Sequence, residues 1–218
     1  GSMLDKGTTA HDKFAIAQLL GDVGANISFS TSESALNIAA KCLRKDLPLV
    51  IGLIAEQLRS PAFTAEEFAK LKKQFIGRMK RASEDTDFRA GDTFSRSIYP
   101  IGHPNRQAPV KELLAGAEKT TLEEVKAFHK KYYGPATLKL VLVGDVEPAA
   151  AQGEVTKSFA GWTGGEVPPH AAKAGEVDVP RDQTVFMPDK TNVTVMWGQA
   201  TRLRYGDPDA LALRVGTA

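Results

Sequence analysis

The 218-residue chain is poor in the residues that most readily announce a function. Cys42 is its only cysteine, which excludes an intrachain disulfide and a cysteine-rich zinc module. One thiol is tolerated in cytosol and periplasm alike, so the compartment stays open between the two. The residue lies in an apolar stretch and is expected in the core. His11, His103, His129 and His170 are far apart, and none has a second ligand at helical or hairpin spacing. Each is therefore read as structural or surface rather than metal-binding, with His103 capping backbone groups in its Gly-His-Pro loop.

Long apolar runs are also missing, and none could span a bilayer. Neither sign of charge dominates: 28 Lys and Arg against 26 Asp and Glu leave a formal net charge of +2, which offers no footprint for nucleic acid or an acidic membrane surface. The glycines at Gly161 and Gly164-Gly165 lack the strand-to-helix setting of a phosphate loop, and no serine or cysteine stands as a nucleophile beside a base. Asn192-Val193-Thr194 matches a glycosylation acceptor but falls in an expected strand, so the match is read as chance. No signal peptide is visible, and Gly1-Ser2 resembles an expression scar, which places the natural start elsewhere. A soluble protein is expected.

What is present is a globular composition, 42% hydrophobic, on a chain long enough for a sizeable core. The most informative stretch is residues 63–85. Thr64 and Glu67 form a capping box, and Phe68, Leu71, Phe75, Ile76 and Met79 recur at helical spacing, while Lys70, Lys72, Lys73, Lys80 and Arg81 fall mostly off that stripe. The basic residues read as a solvated face, since Glu66, Glu67, Glu84 and Asp85 flank them. Before this helix the pattern predicts a helix closed by Gly24, a strand pair over 26–31 and 35–43 turning at residues 32–34, and a helix with Pro48 in its first turn and Ser60-Pro61 at its end.

After it come helices over 88–98 and 110–114, with a loop over 99–104 between them. A Thr121/Glu124 capping box opens a helix that Gly134-Pro135 stops. Residues 138–143, LKLVLV, predict a buried strand, followed by a helix from Pro148. Residues 163–180 read as a linker, followed by strands over 184–187 and 192–199 and a helix capped by Asp207. Strands and helices mingle without strict alternation, so the fold class is α+β with a mostly antiparallel sheet packed against helices.

With these pieces in place, the order 3–8, 23–25, 61–63, Tyr99-Pro100-Ile101-Gly102-His103-Pro104, Phe128-His129-Lys130-Lys131-Tyr132-Tyr133-Gly134-Pro135 and LVLVGDV resembles the pitrilysin family of zinc metallopeptidases, which contains insulin-degrading enzyme and the mitochondrial processing peptidases. The resemblance implies the mitochondrial processing peptidase-like fold. It also implies two similar domains: a body over 3–160 without its opening strands, a Gly/Pro-rich linker over 161–180, and the β-β-α opening of a second domain over 181–218.

The family binds zinc through an H-x-x-E-H helix, expected here before Met3, with a third ligand, a glutamate, on the helix read over 63–85 and another functional glutamate seven residues earlier. Carried onto this sequence, those two positions are Arg78 and Leu71. A guanidinium has no free lone pair and leucine has no polar atom, so neither ligates a metal. No catalytic residue, metal ligand or bound cofactor is expected on this chain, although zinc serves the catalytic members.

The expected role is a non-catalytic domain or subunit that encloses peptide substrate beside a zinc-bearing half or partner. A fragment of an active zinc endopeptidase and a stand-alone interaction module are the alternatives. Arg78 is expected to be partly buried and paired. Residues 181–218 are expected to pair with the sheet of 26–43 and 138–143, within one chain or exchanged between two in a homodimer.

Overall fold

In the computed structural model the described residues are 1–32, 35–103, 105–167, 182–188, 190–199, 201, 203 and 206–217. They divide into two compact units, Gly1–Ile76 with Gly116–Pro169 and Gly77–Ala115 with His170–Ala218.

The core of the first unit is helix α2, Leu47–Arg59, opened by Pro48 as expected. Its sequence LPLVIGLIAEQLR is apolar around most of its circumference, the pattern of a helix enclosed on several sides. Val50, Ile51, Leu53, Ala55 and Leu58 are only 2–3% exposed. Helix α7, Pro148–Ser158, packs on α2 and buries Ala151. Arg59 reaches across to donate 2.8 Å to the Ser158 carbonyl, one of the acceptors that a helix C-terminus leaves without a partner.

Around this core the short-range signals hold. Asp12 caps α1, Lys13–Asp22, accepting from the Phe14 and Ala15 amides at 2.9 and 2.8 Å, and Gly24, at φ 62°, closes it in the left-handed region. Strands β1, Asn26–Thr31, and β2, Leu36–Lys41, form an antiparallel hairpin with Phe29 opposite Ile38. Ile27, Phe29, Leu36 and Ile38 are half-buried on one face while their neighbours are exposed, the period of two read from the sequence. The expected turn residues Glu33 and Ser34 lie outside the described residues.

Helix α6, Leu122–Tyr132, opens on a complete Thr121/Glu124 capping box. Its C-terminal exit needs glycine twice, because a Cβ on Gly134 would lie 2.1 Å from Gly164, and one on Gly165, itself at φ 89°, would lie 2.9 Å from the Gly134 Cα. Cys42 is half-buried rather than in the core, and burial raises its thiol pKa.

One expectation fails here. Residues 138–143 are extended but join no ladder among the described residues, and Val141 and Val143 are exposed. Apolar content records a demand for burial, whereas a strand is a pairing between segments that no single stretch encodes. Helix α3, Ala65–Ala82, forms, but the stripe Phe68, Leu71, Phe75, Ile76 and Met79 is half-buried throughout. The packing centre is thus α2, not the helix with the clearest amphipathic pattern.

In the second unit α4, Thr86–Ile98, is capped by Asp85, which accepts from the Phe88 amide at 2.8 Å. Asp92, 2% exposed, is paired one turn on with Arg96. Arg106 donates to the carbonyls of Arg96 and Tyr99 at the end of α4, the second 2.6 Å long. Helix α5, Val110–Lys119, is longer than the expected 110–114.

Residues 192–198 are extended along α4. Asn192 and Thr194 hydrogen-bond Thr86, Thr194 also donates to Asp87, Met196 lies against Gly91, and Gly198 lies against Phe94. The odd-numbered Val193, Val195 and Trp197 face away, Trp197 being 96% exposed. The expected strands over 184–187 and 192–199 are not formed among the described residues. The apolar alternation read here is not matched by burial, and the contacts with α4 come from the even-numbered residues. Helix α8, Ala210–Gly216, starts two residues later than an Asp207 cap implies, with Asp209 in the cap position.

Candidate functional site

Helix α3 carries the two positions on which the functional reading turns. Leu71 and Arg78 are seven residues apart, about two helical turns, and so lie on one face. Leu71 is half-buried. Arg78 is exposed, contrary to the expected partial burial, although it does have an interaction partner. A long flexible stem lets a guanidinium at the edge of an apolar stripe reach water, which is cheaper than burying its charge.

One turn before Leu71, Glu67 shows why the helix start differs from a plain capping box. Thr64 accepts from the Glu67 amide at 3.4 Å, but the Glu67 carboxylate turns inward to Lys13 Nζ at 2.5 Å. At 8% exposure Glu67 is the one fully buried residue of α3. The hydrogen bond holds its carboxyl pKa below the usual value and raises that of Lys13. Lys6, Lys13, Glu67, Lys70, Leu71 and Gln74 line a cleft of about 150 Å³ beside this pair. Residues 67, 70, 71 and 74 come from one face of α3, and two more lysines come from the N-terminal turn and α1.

The donor set does not fit zinc. Three ammonium groups and an amide surround a single carboxylate that is already hydrogen-bonded, and an ammonium repels a cation and offers it no lone pair. Among the described residues no group of three or more His, Cys, Asp or Glu side chains is placed to hold a metal ion.

The histidines have other work. His11 Nδ1 donates to the Glu56 carboxylate at 3.0 Å, and Thr8 donates to the same group while accepting from the His11 amide, which ties the N-terminal turn to α2. His103 stacks on Tyr99 at 4.6 Å and accepts from the Asn105 amide at 3.1 Å, the backbone role expected of it. His129 Nε2 donates 2.8 Å to the Leu58 carbonyl, an acceptor left open by the end of α2. Its ring stacks on Tyr133 at 4.8 Å and meets the edge of Phe63 at 5.1 Å. Phe63 has φ 44°, a strained value for a bulky residue, and this contact holds its ring. His170 lies outside the described residues.

The basic residues of α3 prove to be more than a solvated face, since Lys72 donates to the Glu118 and Thr120 carbonyls at 2.7 and 2.9 Å and so closes α5. No local pattern announces such a role, because the acceptors are backbone atoms far along the chain.

The fold is α+β, and the two α3 positions that the family resemblance singles out hold Leu71 and Arg78, side chains with no lone pair to offer a metal. The family model of Insulinase (Peptidase family M16) matches residues 2–100, and that of the Peptidase M16 inactive domain matches residues 119–217. The chain belongs to the M16 peptidase family.

Among curated relatives it is 26% identical over 148 residues to the Non-peptidase homolog YmxG of Helicobacter pylori, covering 66% of this chain and 33% of that protein. It is 21% identical over 157 residues to an uncharacterized zinc protease of Streptomyces coelicolor, covering 72% and 34%. The chain thus spans about a third of the length of these relatives. The crystal structure of a peptidase M16 inactive domain from Pseudomonas fluorescens shares the fold with a TM-score of 0.71 at 23% identity, over 80% of this chain and 42% of that one.

Proposed function

We propose that this chain is a non-catalytic part of an M16-type peptidase, enclosing or binding peptide substrate beside a zinc-bearing half or partner subunit. The observation that carries the reading is the occupancy of the two α3 positions by Leu71 and Arg78. The match to an inactive-domain model and the similarity to a protein named a non-peptidase homolog support it. In the same reading, residues 3–160 are the body of one domain, 161–180 a linker and 181–218 the opening of a second similar domain. Similarity to a protein named a zinc protease keeps one other reading, a fragment of an active zinc endopeptidase whose metal motif lies upstream of residue 3.

An association assay with the zinc-bearing M16 chain of the same source tests the proposal. Mixed at micromolar concentration, the two should co-elute on gel filtration, and the pair should cleave an unstructured peptide with a higher kcat/KM than the zinc-bearing chain alone. Separate elution with unchanged kcat/KM overturns the reading.

A further inference from the structure

The cleft against α3 holds an excess of positive charge beside one apolar side chain. Three lysines, Lys6, Lys13 and Lys70, share it with one carboxylate, Glu67, and Leu71 lies between them. Lys13 is committed to Glu67 at 2.5 Å, and Lys6 contacts the exposed side chain of its neighbour Asp5 at 3.0 Å. Lys70 and Gln74 make no hydrogen bond among the described residues, so an ammonium and an amide N–H pair are available on the same face one turn apart. Glu66 adds one further negative charge near Lys13.

We propose that this cleft binds a carboxylate of a peptide. Lys70, with Lys6, supplies the charge, Gln74 donates a hydrogen bond, and Leu71 contacts the apolar part of the residue that bears the acid. The chemistry selects among ligands. A metal cation is repelled by the lysines. A dianion such as a phosphate ester gains from them but is opposed by Glu67 and Glu66, whereas a monoanion with an apolar neighbour matches both the charge and the Leu71 side chain. A cleft of about 150 Å³ admits a carboxylate with part of one residue, not a folded surface. The inference rests on the peptide-binding reading above, and it names the group that the peptide presents.

Fluorescence anisotropy on the full chain decides it, using three labelled peptides: a glutamate- and aspartate-free sequence as its C-terminal acid, the same sequence as its C-terminal amide, and that amide with one internal residue replaced by glutamate. The acid should bind about fivefold more tightly than the amide, the worth of one partly exposed charge pair, and the preference should fall with added salt. The glutamate peptide matches the acid if a side-chain carboxylate suffices, and matches the amide if the terminus is read. Lys70→Gln should abolish the preference and Lys70→Arg should retain it. Equal affinity for all three peptides, or a preference that survives Lys70→Gln, overturns this inference alone. Absence of binding by every peptide overturns the peptide-binding reading and this inference with it.

Discussion

Leu53→Ala is expected to destabilise the protein by about 3 kcal/mol, the typical cost of a cavity left by a large aliphatic side chain in a packed core. Leu53 is 3% exposed in α2, the helix enclosed on several sides, so its neighbours cannot all collapse into the space. Against a total stability on the order of 5–15 kcal/mol, the loss is large enough to move the urea midpoint well clear of error. Phe75→Ala on α3 supplies the internal comparison. Its ring is larger but half-buried, so its removal should cost less than Leu53→Ala. Urea titrations of both variants measure the difference. If Phe75→Ala proves the more damaging, α2 is not the packing centre.

His129→Ala should cost about 2–3 kcal/mol, because it removes the donor to the Leu58 carbonyl and the ring between Phe63 and Tyr133. Burial lowers the His129 pKa from its ordinary 6.5, so between the folded and unfolded values the unfolded chain binds the extra proton. Stability from the neutral ring is present above pH 6.5 and is lost as the pH falls below it, at no more than about 1.4 kcal/mol per pH unit.

The Tyr133 hydroxyl has the opposite sign. Burial raises its pKa above 10.0, so the unfolded chain ionises first, and stability falls as the pH rises past that value. The carboxyls of Glu67 and Glu124 have lowered pKa values, so their contribution is lost only below pH 4.5, apart from the His129 window. His129→Gln, which keeps a donor near Leu58, should flatten the limb of a stability profile just below pH 6.5 while leaving the carboxyl limb below pH 4.5. An unchanged profile just below pH 6.5 refutes the role given to His129.

Signals confined to a few neighbouring residues were legible before the structure. Gly24 closes α1, Pro48 opens α2, and Thr121 with Glu124 opens α6, because each acts on backbone groups within one helical turn, whereas the Asp12 cap of α1 was not read. The α+β class followed from the same patterns. Pairings across the chain were not legible. The Glu67 carboxylate left its capping box for Lys13, 54 residues away, and the apolar run at 138–143 has no strand beside it among the described residues. At the site, the positions Leu71 and Arg78 came from family resemblance and the chemistry of their side chains. The face shared by Glu67, Lys70, Leu71 and Gln74 was available from helical spacing alone, but its two other lysines, Lys6 and Lys13, belong to elements that only folding brings near.

Zinc content measured together with peptidase activity, on the full chain purified without chelator, bears most directly on a non-catalytic M16 domain. The expected result is zinc far below one ion per chain after gel filtration, with no cleavage of an unstructured peptide whether or not zinc is added. One tightly held zinc per chain, with cleavage that a chelator abolishes and added zinc restores, would contradict it.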